Sequence, residues 1–251
     1  MRTLRLPTVV FILATTLLAG TVAQPPWARP DTSTVIYDGV SLFDGTGTPL
    51  QSEMAIVVRN SRIERVVPVG EVSEHERQSA EVVDSRDLFA IPGLVESHTH
   101  LATMADRESA QFLLNRYLYA GITTARDMAG DVRSLMDLQR ASLVGEIDAP
   151  DIYFAALVAG PSFFADPRTV TSAMGLTPGA VPWMQAVVDS TDLRELITIA
   201  RGTFATGLKT YAALDGRLLA RIAGEARYQG MPVWSHTHVG PARPWRLQKR
   251  A

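Results

Sequence analysis

From residue 91 onward, short apolar runs alternate with longer amphipathic stretches, and that rhythm restricts the chain to a parallel α/β architecture. The sequence predicts strands at 93–97, 122–126, 152–156, 207–211 and 232–236, with helices at 107–120, 132–144, 191–206 and 216–229 between them. Within 191–206, Leu193, Leu196, Ile197 and Ala200 recur at helical spacing and mark one buried face. The connection 157–185 is long and rich in Gly and Pro. Two readings stay open for it: an ordered loop over a functional site, or a mobile surface loop.

Residues 34–90 read differently. Strand-like runs at 34–37, 54–58, 62–67 and 81–84 are separated by turn signals at Asp38-Gly39, Asp44-Gly45 and Asn60-Ser61. The second and third runs form an expected hairpin, and the whole is expected as a small β-sandwich preceding the α/β domain. Residues 1–23 carry Arg2 and Arg5, an apolar stretch and small residues before Gln24, the pattern of an export signal peptide. Its apolar run is short for a membrane span; the competing reading is an uncleaved anchor. Residues 24–33 form a Pro-containing flexible lead-in. The expected location is periplasmic or extracellular, with no stable membrane span after cleavage.

The 251 residues are 46% apolar, enough for a sizeable core, and the formal charge of −2 gives no sign of a nucleic-acid partner. Cysteine is absent, which excludes disulfides, thiolate metal sites and cysteine nucleophiles. Chemistry therefore falls to other side chains. The run Ile91-Pro92-Gly93-Leu94-Val95-Glu96-Ser97 ends in His98-Thr99-His100. Residues two apart on a strand share a face, so both imidazoles can reach one ion. A second pair, His236 and His238, follows another apolar run, and these pairs account for four of the five histidines.

The run through His100, followed by Gly121-Ile122-Thr123-Thr124-Ala125-Arg126-Asp127, Gly207-Leu208-Lys209-Thr210-Tyr211 and Val233-Trp234-Ser235-His236-Thr237-His238, resembles the amidohydrolase superfamily. The branch it resembles most holds imidazolonepropionase-like enzymes and Xaa-Pro dipeptidases, over residues 34 to 242. The resemblance implies a (β/α)8 TIM-like barrel, here incomplete with about five βα strands over 91–242, and a metal centre at the strand C-termini. By family pattern His98 and His100 bind a divalent ion, zinc being the expected metal. Lys209 becomes carboxylated and bridges two ions, and His236 binds the second. Carboxylation turns a cation into an anionic oxygen ligand; the bland alternative is a surface or ion-paired lysine. His238, Tyr211 and Arg126 are candidate substrate or metal contacts. Arg126 with Asp127 also reads as a structural ion pair, and Tyr211 as a core residue.

The family's strand-6 histidine and strand-8 aspartate have no counterpart, since no His follows His238 and no Asp follows Asp215. No catalytic residue is therefore assigned. Residues 243–251 look aberrant, and a premature stop or frame change is the expected cause, a short selected variant the alternative. An open sheet of this kind is expected to self-associate through its edges. Three functions remain: a metal-dependent hydrolase of C–N bonds in small amides, cyclic amides or dipeptides, working by metal-activated hydroxide; a catalytically inactive fragment keeping part of the metal site; and a secreted binding module without metal.

Overall fold

The computed structural model describes residues 33–104 and 106–236. The signal-peptide segment, nearly all of the lead-in, His238 and the tail at 243–251 lie outside the described residues.

The first five strands are β1 (Thr34–Leu42), β2 (Gln51–Arg59), β3 (Arg62–Pro68), β4 (Glu81–Asp84) and β5 (Phe89–Ala90). They form one mixed sheet in the order β3-β2-β1-β4, with β5 beside the end of β1. The expected sandwich is thus a single layer among the described residues. Its core, Ile36, Ala55 and Val57, is closed by Val72, just ahead of helix α1 (Glu74–Gln78), rather than by a second sheet. The β2–β3 hairpin forms as expected: Asn60 and Ser61 both adopt positive φ, the primed two-residue turn that matches strand twist. Asp38-Gly39 is not a turn. The β1–β2 register shifts between Asp38 and Val40, and Gly39 at φ +85 forms a bulge inside a longer β1. A Cβ on Gly39 would come within 2.5 Å of Arg86 Cγ, so a glycine is needed there.

The second sheet holds the parallel strands β6 (Leu94–Thr99), β7 (Ile122–Asp127), β8 (Asp151–Ala159), β11 (Gly207–Thr210) and β12 (Val233–Ser235), paired in that order. Between them lie α2 (Arg107–Tyr119), α3 (Val132–Leu143), α5 (Leu193–Gly202) and α6 (Gly216–Tyr228). Each helix begins on an aspartate: Asp106, Asp131, Asp192 and Asp215 accept hydrogen bonds from first-turn amides. Such caps satisfy otherwise orphaned donors. The predicted face of α5 is buried as expected, against Ala156, Val158 and Leu208 of the sheet and Leu218 and Ile222 of α6. No helix among the described residues is long and apolar enough to cross a membrane.

Residues 157–185 are structured. They hold the end of β8, a 3-10 turn at Pro161–Ala165, helix α4 (Pro167–Ala173), capped by Asp166, and two short strands, β9 (Ala180–Val181) and β10 (Met184–Ala186). Strand β10 runs parallel to the end of β8, with Met184 opposite Leu157. Trp183 is buried, and its indole nitrogen donates to the Ser172 carbonyl. The segment is an ordered roof over the strand C-termini.

Residues on alternate strand positions face away from the helices. Val95, Thr124, Arg126, Tyr153 and Trp234 line a groove of about 330 Å³ on that face. Val95 is 62% and Tyr153 43% exposed. Among the described residues β6 pairs only with β7, and β12 only with β11, so both outer edges are open.

Candidate metal centre

The C-terminal ends of β6, β11 and β12 meet at a cavity of about 480 Å³. His98 comes from β6, His100 from the residue after it, Lys209 from β11 and His236 from just beyond β12. The His98 ring centroid lies 5.3 Å from that of His100 and 5.2 Å from that of His236, both edge to face. Tyr211 completes the wall, with its ring 4.5 Å from His236 and 4.8 Å from Phe163 of the roof.

Lys209 is not a surface residue, and among the described residues it forms no ion pair. It is 5% exposed, and its Nζ donates to the Met128 carbonyl at 2.7 Å. Burial pushes its pKa down to about 8, with Asp127 opposing and Arg168 adding to the shift. The same surroundings lower the pKa of His98 and His100, first through desolvation and next through the Lys209 charge. Arg168, at the start of α4, pairs with Asp166 and reaches the cavity from above.

Arg126 and Asp127 do not pair. Adjacent strand residues point to opposite faces. Arg126 donates through Nε to the Ser97 carbonyl at 2.9 Å and lies 4.0 Å over the Trp234 ring, in the groove rather than the cavity. Asp127 is fully buried and accepts hydrogen bonds from the amides of Leu101 and Ala102. Burial lifts its pKa to about 6, against the pull of those amides.

No family model matches the sequence. Over 69 residues it is 33% identical to 5'-deoxyadenosine deaminase of Methanocaldococcus jannaschii, a stretch covering 26% of this chain and 16% of that protein. Its fold is similar to that of a Xaa-Pro dipeptidase with methionine bound in the active site (TM-score 0.64, 20% identity, 82% of this chain and 57% of that one). It is similar also to molinate hydrolase (0.62, 18%, 82% and 54%) and to a crystal structure named as an amidohydrolase (0.64, 18%, 81% and 56%). This is the amidohydrolase fold. The chain spans about half the length of the structures it matches.

On this amidohydrolase scaffold the donor chemistry suits a divalent ion. Imidazoles whose pKa is lowered stay neutral at pH 7 and keep a lone pair for a metal. The side chains do not yet enclose one: no group of three or more His, Cys, Asp or Glu among the described residues is placed to hold an ion as it stands. No Asp or Glu lines the cavity among the described residues.

The sequence brought His98, His100, Lys209, His236 and Tyr211 to notice, and the fold gathers all five at one rim. It missed Phe163 and Arg168, which the roof of this chain brings to the cavity. The signal was present: Asp166-Pro167 is a helix start, with a capping side chain followed by a residue lacking a needed amide.

Proposed function

We propose that this chain carries the metal-binding half of a hydrolase acting on C–N bonds of small amides, cyclic amides or dipeptides. The observation that supports it is the convergence of three imidazoles and one buried lysine on a single cavity. His98, His100 and His236 would hold divalent metal, zinc being the candidate, and Lys209 would join them after carboxylation. When bound, such an ion polarises a carbonyl and lowers the pKa of water.

The chain's own residues prepare the rest. With a pKa of about 8, roughly one tenth of Lys209 is free amine at pH 7. That amine attacks CO₂, forming an N–C bond and releasing one proton, and the product is an anionic oxygen donor where a cation stood. Phe163 and Tyr211 supply an apolar wall that keeps water off one side of a substrate. Arg168 and the Thr169 and Thr171 positions offer polar contacts from the roof.

A second reading is a chain that binds metal and does not turn over. The lack of a lining carboxylate among the described residues favours it, because the histidines and Lys209 are taken up as metal donors and no Asp or Glu there stands by to move a proton. Metal analysis of the purified protein, followed by assays on dipeptides, N-acyl amino acids and cyclic amides, separates the two. Metal with turnover supports the hydrolase. Metal without turnover supports the second reading, and a folded protein that takes up no divalent ion removes both. Export, on the strength of the 1–23 pattern, and association through the open β6 and β12 edges belong to the same proposal.

A further inference from the structure

Asp127 does not line the cavity, yet it sits where the site's two halves are tied together. Its Oδ2 accepts from the backbone amides of Leu101 and Ala102, the two residues that follow His100. Its own backbone is in register with Thr99, and the Met128 amide donates to the Thr99 carbonyl at 2.9 Å. The Met128 carbonyl in turn accepts from Lys209 Nζ. The dipeptide Asp127-Met128 therefore grips the turn that carries His100 on one side and the buried lysine on the other.

The surroundings leave the carboxylate little freedom. Asp127 is 0% exposed. A Cβ on Gly130 would come within 2.4 Å of the Ala102 Cβ and 3.2 Å of Asp127 Oδ1, so the loop after β7 closes directly over the pair. Burying a carboxylate is costly unless it is hydrogen-bonded. Here the bonds come from the first two amides of the 3-10 turn Leu101–Thr103, which directly follows His100, and Arg126, the adjacent cation, points away.

We propose that Asp127 is a positioning residue, which fixes His100 through the 101–102 amides and holds it in step with Lys209 through Met128. This rests on the reading of His100 and Lys209 as metal-site residues. Charge-assisted bonds of this kind are shorter and stiffer than neutral ones. Groups that orient ligands are typically worth 10–100-fold in metal affinity.

The test uses the whole chain and Co²⁺ as the probe, with Asp127→Ala, Asp127→Asn and a control, Ile222→Val, on the buried face of α6. Amide exchange at Leu101 and Ala102 is read without metal. Co²⁺ affinity and its visible absorption are read separately, beside each variant's thermal midpoint. Asp127→Ala should speed exchange at both amides, weaken Co²⁺ about 10–100-fold and alter the spectrum. Asp127→Asn keeps an acceptor without the charge and should fall between it and wild type. Ile222→Val should lower the midpoint and leave Co²⁺ binding alone.

Unchanged exchange in Asp127→Ala overturns the proposal. So does faster exchange with wild-type Co²⁺ binding, or loss of Co²⁺ in Ile222→Val in proportion to its midpoint. If Asp127→Ala does not fold, Asp127→Asn decides: no change in exchange or affinity overturns it. If the wild type binds no Co²⁺, the metal reading fails on its own. The His100 ring-nitrogen resonances then judge the positioning role, which stands if Asp127→Ala moves them and falls if it does not.

Discussion

The Lys209 ammonium is buried against the Met128 carbonyl at 2.7 Å, with a neutral oxygen rather than a carboxylate as its hydrogen-bond partner. A charge kept in that position works against the fold. Its folded pKa of about 8 lies below the ordinary lysine value, so the unfolded chain holds the proton more tightly. The cost is complete below pH 8 and disappears as pH rises past the unfolded value of about 10.4. Lys209→Met should therefore stabilise the metal-free protein at pH 7 by on the order of 2–3 kcal/mol, with the gain shrinking as pH rises from about 8 and largely lost by about pH 10. Thermal melts of both proteins at pH 7 and pH 10 check this; equal midpoints at pH 7 would refute it.

His98 and His100 respond to pH in the same sense as Lys209, in a lower window. Their pKa values lie below the usual value in the folded state. As pH falls below about 6.5 the unfolded chain takes up protons first, so metal-free stability should decline in that range. The double variant His98→Gln, His100→Gln should show a flatter profile between pH 7.5 and 5, and an unaltered slope would count against the assignment.

Single replacement of His98, His100 or His236 by Ala should lower divalent-metal affinity by at least about tenfold, equivalent to about 1.4 kcal/mol. The rings border the cavity rather than the core, so folding should persist. Calorimetric titration with Zn²⁺ measures the loss, and variants that bind as tightly as wild type would remove those residues from the site.

Arg126 is expected to matter for stability alone. Arg126→Ala loses the Trp234 stacking and the bond to Ser97, about 1–2 kcal/mol together. Denaturant unfolding should register that change while metal binding stays as it was. A metal defect in Arg126→Ala would restore it as a contact.

Gly207→Ala tests the β11–β12 pairing. A Cβ there would fall within 2.1 Å of the Trp234 ring. Overpacking of this sort costs about 1–3 kcal/mol. Native stability in the variant would mean that Trp234 does not cover β11 as described.

Periodicity carried the parallel sheet. All five expected strands exist within a few residues, and α5 buries the four residues its spacing picked out. The rule of alternate faces foretold that His98 and His100 would act together. It also forbade the Arg126–Asp127 pair, which proximity in sequence had made attractive. What stayed hidden depends on tertiary placement. Gly39 reads as a turn locally and becomes a bulge because β4 and β5 extend the pairing of β1 on its other edge. The roof escaped notice because its strands are only two and three residues long, too short for any period to register. Asp127 was noticed only as a partner for Arg126, since its actual partners are backbone amides 25 and 26 residues away.

The roof's attachment decides how a molecule gets in. Leu157 donates to Trp183, Val187 to Ala159 and Gly160 to Ala212, so both ends of the cover are laced into the strands below it. A flap of that kind does not swing on a hinge. Among the described residues the flank between β6 and β12 carries no cover, and a molecule would reach the histidines sideways along it rather than through a lifted roof.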